Sequence, residues 1–273
     1  ISYNTLQQHP HVSGIEEELR GRLLKVASSN ATLFFKLSCL NPRSLIFENE
    51  FIRVGLSSIY AQSQLKIILF FDNKSDELIS DFTTHVSHDP NLEVVLKPDP
   101  IDSTVVCGRQ TKQMILVSMK KIPFSCLEVN CLGLRGGQKV KFGFLVPTVV
   151  NKFMEFKYAD YKEFNEYWKR HARNTLKSEI IHVDDAIVKD VDDFKKYFAN
   201  LIELKSEYDD DIGSNRREVN LGVIFELKEL GSEYALKIRY SQTHQVTFEL
   251  TTSLLNLESA RFILQNLVFL FKQ

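Results

Sequence analysis

Strict alternation of apolar and polar positions predicts a strand from Leu65 to Asp72. A period of two places successive side chains on opposite faces of a sheet. One set is therefore predicted to lie in a core, and the other set, which includes Phe70, on an outer face. The core set is Leu65, Ile67, Leu69 and Phe71, and the outer set is Lys66, Ile68, Phe70 and Asp72.

Similar short apolar runs fill the first half of the chain, with turn residues between them. Strands at this spacing, without an intervening helix, favour an all-β, immunoglobulin-like antiparallel sandwich over residues 31–148. The further predicted strands are Phe47–Leu56, Leu92–Leu96, Gln113–Met119, Leu127–Leu132 and Val140–Val146, with turn signals that include Asp72-Asn73 and Gly136-Gly137.

After Pro147 the pattern changes to helices that flank a short sheet. Asp160 and Glu163 have the spacing of a capping box, and apolar residues follow at helical intervals. This arrangement predicts an α+β unit over residues 149–273, with the division near Thr148 to Asn151. Its predicted helices begin at Asp160, span Phe194–Ile202 and span Leu257–Phe271, and its predicted strands are Leu221–Leu227, Tyr234–Tyr240 and Val246–Leu250.

Two polar segments are interpreted as connections. Residues 1–30 resemble the end of a linker with one helical stretch, Gly14–Ala27, and the acidic run Glu207–Asp211 is typical of a solvated loop. Because the sequence begins with Ile1 and not with Met, we expect a piece of a longer protein.

Composition narrows the class of protein. The chain has 273 residues, 44% of them hydrophobic, which is typical of a folded protein. Its 34 basic and 35 acidic side chains give a net charge of -1, which argues against a nucleic acid or an anionic membrane as the main partner. The longest apolar runs have about five residues, whereas a spanning helix needs ~18, so we expect a cytoplasmic protein without direct membrane insertion.

No residue pattern predicts catalysis, a cofactor or a metal. The four cysteines lack a paired CxxC spacing, and we expect them to be reduced thiols. His85, His88 and Asp89 form a possible ligand set, but no second cluster completes it. The chain also has no GxSxG motif and no glycine-rich phosphate loop, so we predict a protein that is not an enzyme.

Two aromatic residues are candidate contacts for a partner. Phe70 lies on the predicted outer face between charged neighbours, where it is either a contact residue or covered by a loop. Trp168, the only tryptophan, follows Phe164 and Tyr167 on a predicted helix. It either packs on the sheet or forms the rim of a pocket for a peptide aromatic.

A series of short motifs resembles the C-terminal appendage, or ear, of α-adaptin, the large subunit of the plasma-membrane clathrin adaptor complex. The motifs follow the family's order over most of residues 45–170, and beyond Trp168 the resemblance thins. They are Phe47-Glu48-Asn49, Val54-Gly55-Leu56, Phe70, Asn73-Lys74-Ser75, Gly136-Gly137, Pro147, Asn151-Lys152-Phe153, Phe164 and Trp168-Lys169. The resemblance implies a β-sandwich followed by a helix-on-sheet platform.

The resemblance also implies a peptide site on the platform. There the family's tryptophan, here Trp168, receives the aromatic side chain of Asp-Pro-Phe or Asp-Pro-Trp type motifs, beside Phe164 and Tyr167. Asn165 stands in place of a second family aromatic. Glu226 and Ala235 stand in place of two basic residues, and Lys228 in place of an acid, so we hypothesise a rewired basic contact through Lys228 or Arg239.

On the sandwich, the resemblance implies a site for Trp-x-x-Phe type peptides. Phe70 matches the family's exposed aromatic and Gln110 its glutamine, whereas Ser57 replaces a lysine and Asp72 a glycine. We therefore predict a clathrin-adaptor appendage, peripheral at plasma-membrane coated pits, that binds short motifs of disordered endocytic accessory proteins. Its other partners would be the remaining subunits of the adaptor complex. The alternatives are an appendage of divergent motif specificity and a structural spacer with inactive peptide grooves.

Overall fold

The computed structural model describes residues 4–5, 31–61, 64–98, 101–119, 126–204, 218–228, 231–241, 243–253 and 257–273. The chain divides into two compact units. Residues 14–153 form the sandwich unit, and residues 1–13 with 154–273 form the platform unit. The predicted division near Thr148 to Asn151 lies a few residues before this boundary.

The first 30 residues lie outside the described residues, except Asn4 and Thr5. These two form strand β1 and pair with Leu176–Lys177 in the platform unit. The predicted helix Gly14–Ala27 and the predicted loop Glu207–Asp211 also lie outside the described residues.

The sandwich unit consists of two antiparallel sheets. Five strands have the order β2-β3-β4-β7-β6, and three have the order β5-β8-β9. Its elements are α1 (Ala31–Leu40), β2 (Arg43–Glu48), β3 (Ile52–Ala61), β4 (Gln64–Asn73), β5 (Ile79–Ser87), β6 (Leu92–Lys97), β7 (Gln110–Met119), β8 (Cys126–Arg135), β9 (Gln138–Pro147) and a 3₁₀ helix, Val150–Phe153.

Stacked and edge-to-face phenylalanine rings fill the sandwich core. The ring centroid of Phe47 lies 5.2 Å from that of Phe142, and the centroid of Phe71 lies 5.1 Å from that of Phe82. All four rings are buried, and so is Phe144. Aromatic pairs at these separations add to the free energy gained by burial. The core residues of β4 are Leu65, Ile67, Leu69 and Phe71, as the alternation predicted.

In the sandwich unit one prediction was wrong and two elements were missed. Phe47–Leu56 is not one strand, because Asn49 turns the chain: its Oδ1 accepts from the backbone N–H groups of Phe51 and Ile52. Helix α1 was not predicted. Strand β5 was not predicted either, and its pairing with β8 shifts register beside Asp81, whose φ is 50°. The Gly136-Gly137 turn was predicted correctly, since both residues have positive φ between β8 and β9.

The platform unit carries helices on a mixed sheet. The main path is β1-β11-β16-β15-β14-β10, with β12 beside β16 and β13 beside β14. Its elements are β1 (Asn4–Thr5), β10 (Glu155–Lys157), α2 (Tyr161–His171), β11 (Leu176–Lys177), β12 (Ile181–His182), α3 (Phe194–Tyr197), β13 (Ile202–Glu203), β14 (Glu218–Leu227), β15 (Ser232–Ser241), β16 (Gln245–Thr252) and α4 (Glu258–Phe271), with 3₁₀ helices at Ala172–Asn174 and Val191–Asp193.

Local signals predicted most platform elements. Asp160 Oδ1 accepts from the Glu163 N–H at 2.8 Å, and Glu163 Oε2 accepts from the Asp160 N–H at 3.0 Å, which confirms the capping box. The helix predicted over Phe194–Ile202 is shorter, because α3 ends at Tyr197 and the chain turns through positive φ at Asn200. The structure thus has the predicted class, a β-sandwich followed by an α+β platform.

Candidate functional site

The outer face of the five-stranded sheet carries the residues predicted for the sandwich site. Phe70 lies on β4, half-buried, between Gly55 of β3 and Lys112 of β7 in the paired register. Side chains two residues apart on a strand share a face. Asp72 and Ile68 therefore flank Phe70 on the same face. We call the set Arg53, Gly55, Ser57, Phe70, Asp72, Gln110 and Lys112 the Phe70 face.

The ring of Phe70 is open on one flank and faced by a cation on the other. Gly55 has no side chain, and a Cβ placed there would lie 3.9 Å from the Cβ of Phe70. The Nζ of Lys112, an exposed residue, lies 5.4 Å from the ring centroid. This is within the range of a cation–π contact. Phe70 thus offers an aromatic surface beside a positive charge.

Asp72 and Gln110 lie one row from Phe70. They are opposite each other in the β4–β7 register, and Arg53 is opposite Asp72 on the other side. Ser57 lies one row away in the other direction, opposite Ile68. The structure therefore brings all four predicted sandwich residues onto one face.

The lysine of this face was not predicted from the sequence. Ser57 stands where a lysine was expected, but Lys112 places an ammonium group at Phe70 from the strand on the opposite side. The alternation within β7 could have put Lys112 on an outer face. The pairing of β7 with β4, which places it beside Phe70, is not encoded locally.

The predicted platform residues are packed on the sheet. Phe164 is fully buried, and Tyr167 and Trp168 each retain only 8% exposure. The Trp168 ring stacks on Phe164 at a centroid distance of 5.7 Å. A Cβ at Gly222 would lie 2.8 Å from the Phe164 ring, so the helix packs directly on the backbone of β14. Of the two interpretations of Trp168, the structure has the one in which it packs on the sheet.

The remaining surface of this aromatic cluster is also occupied. The Nζ of Lys237 lies 4.5 Å from the centroid of Trp168. The hydroxyl of Tyr167 donates to the carbonyl of Glu233 at 2.6 Å, and burial raises the pKa of Tyr167 to about 12. Tyr167 is therefore a neutral donor to the backbone at physiological pH.

Lys228 and Arg239, the two predicted basic contacts, are far apart. Arg239 is opposite Asn220 near one end of β14, whereas Lys228 follows its other end. At ~3.4 Å per residue this is a separation of roughly 25 Å along the strand. The structure does not bring these two cations together at Trp168.

Each of the two cations has a carboxylate partner within the chain. Lys228 pairs with Glu155, and Arg239 Nη2 lies 2.8 Å from Glu249 Oε1. Glu249 is fully buried, with Lys177 Nζ at 3.7 Å and Lys237 opposite in the register. The Arg239 contact is an ion pair and not a well-aligned hydrogen bond. The structure thus places a carboxylate of the chain's own among the platform cations.

Removing Arg239 is expected to destabilise the platform unit because it takes the closest cation from a buried carboxylate. We expect Arg239→Ala to lower the free energy of unfolding by about 3 kcal/mol. Arg239→Ala/Glu249→Gln should recover most of that loss, since no unpaired charge remains buried. Urea denaturation of both variants measures this. A double variant no more stable than Arg239→Ala would show that the pair is not coupled.

The described residues contain no group of three His, Cys, Asp or Glu side chains that could hold a metal ion. His85 lies on β5 and His88 follows it, both exposed. None of the four cysteines, Cys39, Cys107, Cys126 and Cys131, forms a disulfide bond. In the described part of the chain, no helix has the length and apolar character needed to cross a membrane.

Comparison with known proteins relates the sandwich to a family. Residues 42–125, which include Ser57, Phe70, Asp72 and Gln110, match the sequence model of the adaptin C-terminal domain. The match supports an adaptin-type ear domain in the sandwich. AP-2 complex subunit alpha-2 of Dictyostelium discoideum is 23% identical to the chain over 135 residues, which are 50% of this chain. The chain spans only 13% of that relative's length.

Two solved structures are similar to part of the chain. They are the GAE domain of GGA2p from Saccharomyces cerevisiae and the yeast GGA1 GAE domain. The first has a TM-score of 0.35 and 15% identity, over 39% of this chain and 99% of that one. The second has a TM-score of 0.33 and 14% identity, over 38% and 97%. No residue role follows from overlaps of this size.

Proposed function

We propose that the chain is a non-enzymatic protein-interaction module of a clathrin adaptor. Its sandwich would bind short aromatic motifs, of the Trp-x-x-Phe type, in disordered endocytic accessory proteins. The chain would act at plasma-membrane clathrin-coated pits, joined to the other adaptor subunits through the rest of the large subunit. Motif sites of this size bind weakly and gain strength when many copies are linked.

The observation that carries this proposal is the setting of Phe70. Its ring is half-buried on an outer sheet face, open over Gly55 and faced by Lys112. Aromatic residues in such partly desolvated positions are enriched among the side chains that dominate binding energy. The lysine beside the ring suits a motif with acidic flanking residues.

The second candidate function is an appendage of divergent motif specificity, and the contacts of the platform residues favour it. Trp168 is 8% exposed, with the ammonium group of Lys237 at its ring. Arg239 is paired with Glu249 and Lys228 with Glu155. A motif of the Asp-Pro-Phe or Asp-Pro-Trp type would therefore compete with the chain's own carboxylates. We infer that its usual mode of binding is weaker here than binding at the Phe70 face.

A peptide titration tests the proposal. A labelled peptide with a Trp-x-x-Phe core and acidic flanks should bind the intact chain with micromolar-range affinity. Phe70→Ala should weaken binding at least tenfold, as expected for an aromatic anchor. Lys112→Gln should weaken it by about two- to fivefold, because exposed ion pairs contribute little.

Leu132→Ala is the matched control. Leu132 is 50% exposed and lies on β8, in the other sheet of the same unit. This variant should bind the peptide as the unchanged chain does. Equal affinity of Phe70→Ala and the unchanged chain would refute the proposed site. An Asp-Pro-Trp peptide that bound more tightly than the Trp-x-x-Phe peptide would refute the inference about the platform.

A further inference from the structure

Five apolar side chains continue the outer sheet face beyond Phe70. Ile68 and Met114 are opposite each other in the register one row from Phe70, and Leu116 is opposite Val95 one row further. Ile59 is in that same further row, across Lys66. We call the set Ile59, Ile68, Val95, Met114 and Leu116 the apolar strip.

The strip is open to solvent. Ile59 is 62% exposed and Val95 is 44% exposed, and the other three side chains are partly buried. Single exposed apolar residues are normal on a protein surface, whereas contiguous ones mark interaction sites. The short-motif site at Phe70 does not explain why these apolar side chains are exposed together.

The dimensions of the strip exceed one aromatic side chain. It crosses the four strands β3, β4, β7 and β6, which at ~4.8 Å per strand is about 14 Å. Its two rows, Ile68 with Met114 and Leu116 with Val95, are one row spacing apart, about 7 Å along the strands. Two to three turns of an α-helix match the ~14 Å across the strands. A strand would instead need an open sheet edge for backbone pairing, and the strip lies on the face.

The charges around the strip are mainly positive. Arg43, Lys66, Lys97 and Lys112 lie on this face, and within the described residues none of them forms a hydrogen bond or ion pair. Arg53 on the same face pairs with Glu48. The other acids of the face, Asp72 and Glu93, lie at its two ends. The face thus carries five cations and three carboxylates, and its net positive charge complements an acidic partner.

We propose that the apolar strip is a docking surface for an acidic amphipathic helix of a partner protein. The helix would place apolar residues at i, i+3, i+4 and i+7 on the strip and its carboxylates towards Lys66, Lys97 and Arg43. This surface extends along the sheet from Phe70 but uses other residues. It does not depend on recognition of a Trp-x-x-Phe motif.

The test uses a designed 18-residue helical peptide with leucines at those positions and glutamates on the flanking positions. Anisotropy should report saturable binding to the intact chain that weakens as salt rises. Ile59→Ser/Val95→Ser should weaken binding at least fivefold. Leu132→Ser, an equally polar change on the other sheet, should leave it unchanged. A scrambled peptide of the same composition should bind at least fivefold more weakly.

Three results would overturn the proposal: no binding, equal binding of the scrambled peptide, or unchanged affinity of Ile59→Ser/Val95→Ser. A fourth would be self-association of the unchanged chain in sedimentation that the same double variant abolishes, since the occupant would then be a second copy. Binding of the Trp-x-x-Phe peptide, measured in parallel, distinguishes failure of this proposal from failure of the proposed function. If only that peptide fails, the motif site is refuted and the strip is not.

Discussion

Trp168→Ala is expected to lower the free energy of unfolding of the platform unit by about 3–5 kcal/mol, as for other buried large aromatic residues. Trp168 retains 8% exposure, stacks on Phe164 and has Lys237 over its ring. Alanine would remove these contacts and leave a cavity between α2 and the sheet. Urea denaturation followed by far-UV circular dichroism measures the loss.

Tyr158→Ala is the control for this prediction. Tyr158 is 81% exposed, shortly before α2, so its removal should change stability by less than about 0.5 kcal/mol. A loss below about 1 kcal/mol for Trp168→Ala would contradict the packing described above. The expected result also means that lost peptide binding in Trp168→Ala could not be distinguished from lost folding. Trp168→Phe is the better variant for a binding assay.

The second large effect is the contribution of Lys152 to the stability of the sandwich unit, which rises between pH 8 and 10. Lys152 is partly buried, and desolvation of its ammonium group lowers the pKa to about 8 from an ordinary 10.5. Its Nζ donates to the carbonyl of Asn41 at 2.8 Å and to Ser58 Oγ at 3.1 Å. In the unfolded chain the group stays protonated up to its ordinary pKa.

The sign follows from proton binding in the two states. Below pH 8 both states hold the proton, and the folded state bears the cost of a buried charge. Between pH 8 and 10.5 the lysine binds more protons in the unfolded state, so its contribution to stability rises with pH, by about 3 kcal/mol in total. Above about pH 9, the ordinary pKa of a thiol, an opposite contribution begins in the same unit, because burial raises the pKa of Cys39 and of Cys131.

Lys152→Met isolates the effect of the lysine. Urea denaturation at pH 7.5, 8.5 and 9.5 should give increasing stability for the unchanged chain, relative to the variant at each pH. The variant keeps the other titrating groups and therefore serves as the baseline. Parallel pH profiles of the two proteins would show that Lys152 is not buried as a charged group.

Elements with complete local signals were predicted well from the sequence. The alternation in β4 placed Phe70 on the outer face, and the structure has it there. Asp160 and Glu163 predicted the start of α2, and the apolar spacing from Leu257 to Phe271 predicted α4. In each case residues within one or two turns, or within one strand, determine the conformation.

Elements that depend on distant contacts or on single side chains were missed. The turn at Asn49 requires one side-chain oxygen to accept two backbone N–H groups within an apolar run. Strand β5 interrupts its own period at Asp81 and obtains its pairing from β8. A local pattern contains neither the turn geometry nor the partner strand.

The residues of the candidate site also fall into those that a local pattern predicted and those that depend on distant contacts. Ser57, Phe70, Asp72 and Gln110 share one face, but Lys112 joins them only through the register of β7 with β4. On the platform, helical spacing predicted that Trp168 belongs to the apolar side of α2. Spacing could not predict that Lys237 lies over its ring or that Glu249 is buried beside Arg239.

Amide chemical-shift mapping with a Trp-x-x-Phe peptide is the most direct test of aromatic-motif binding at the Phe70 face of the sandwich unit. The account predicts saturable shifts centred on Gly55, Phe70 and Lys112, with α2 unchanged. The Phe70→Ala variant should show none of them at the same peptide concentration. Shifts centred on Trp168 and the strands beneath it, with the Phe70 face unchanged, would contradict the account.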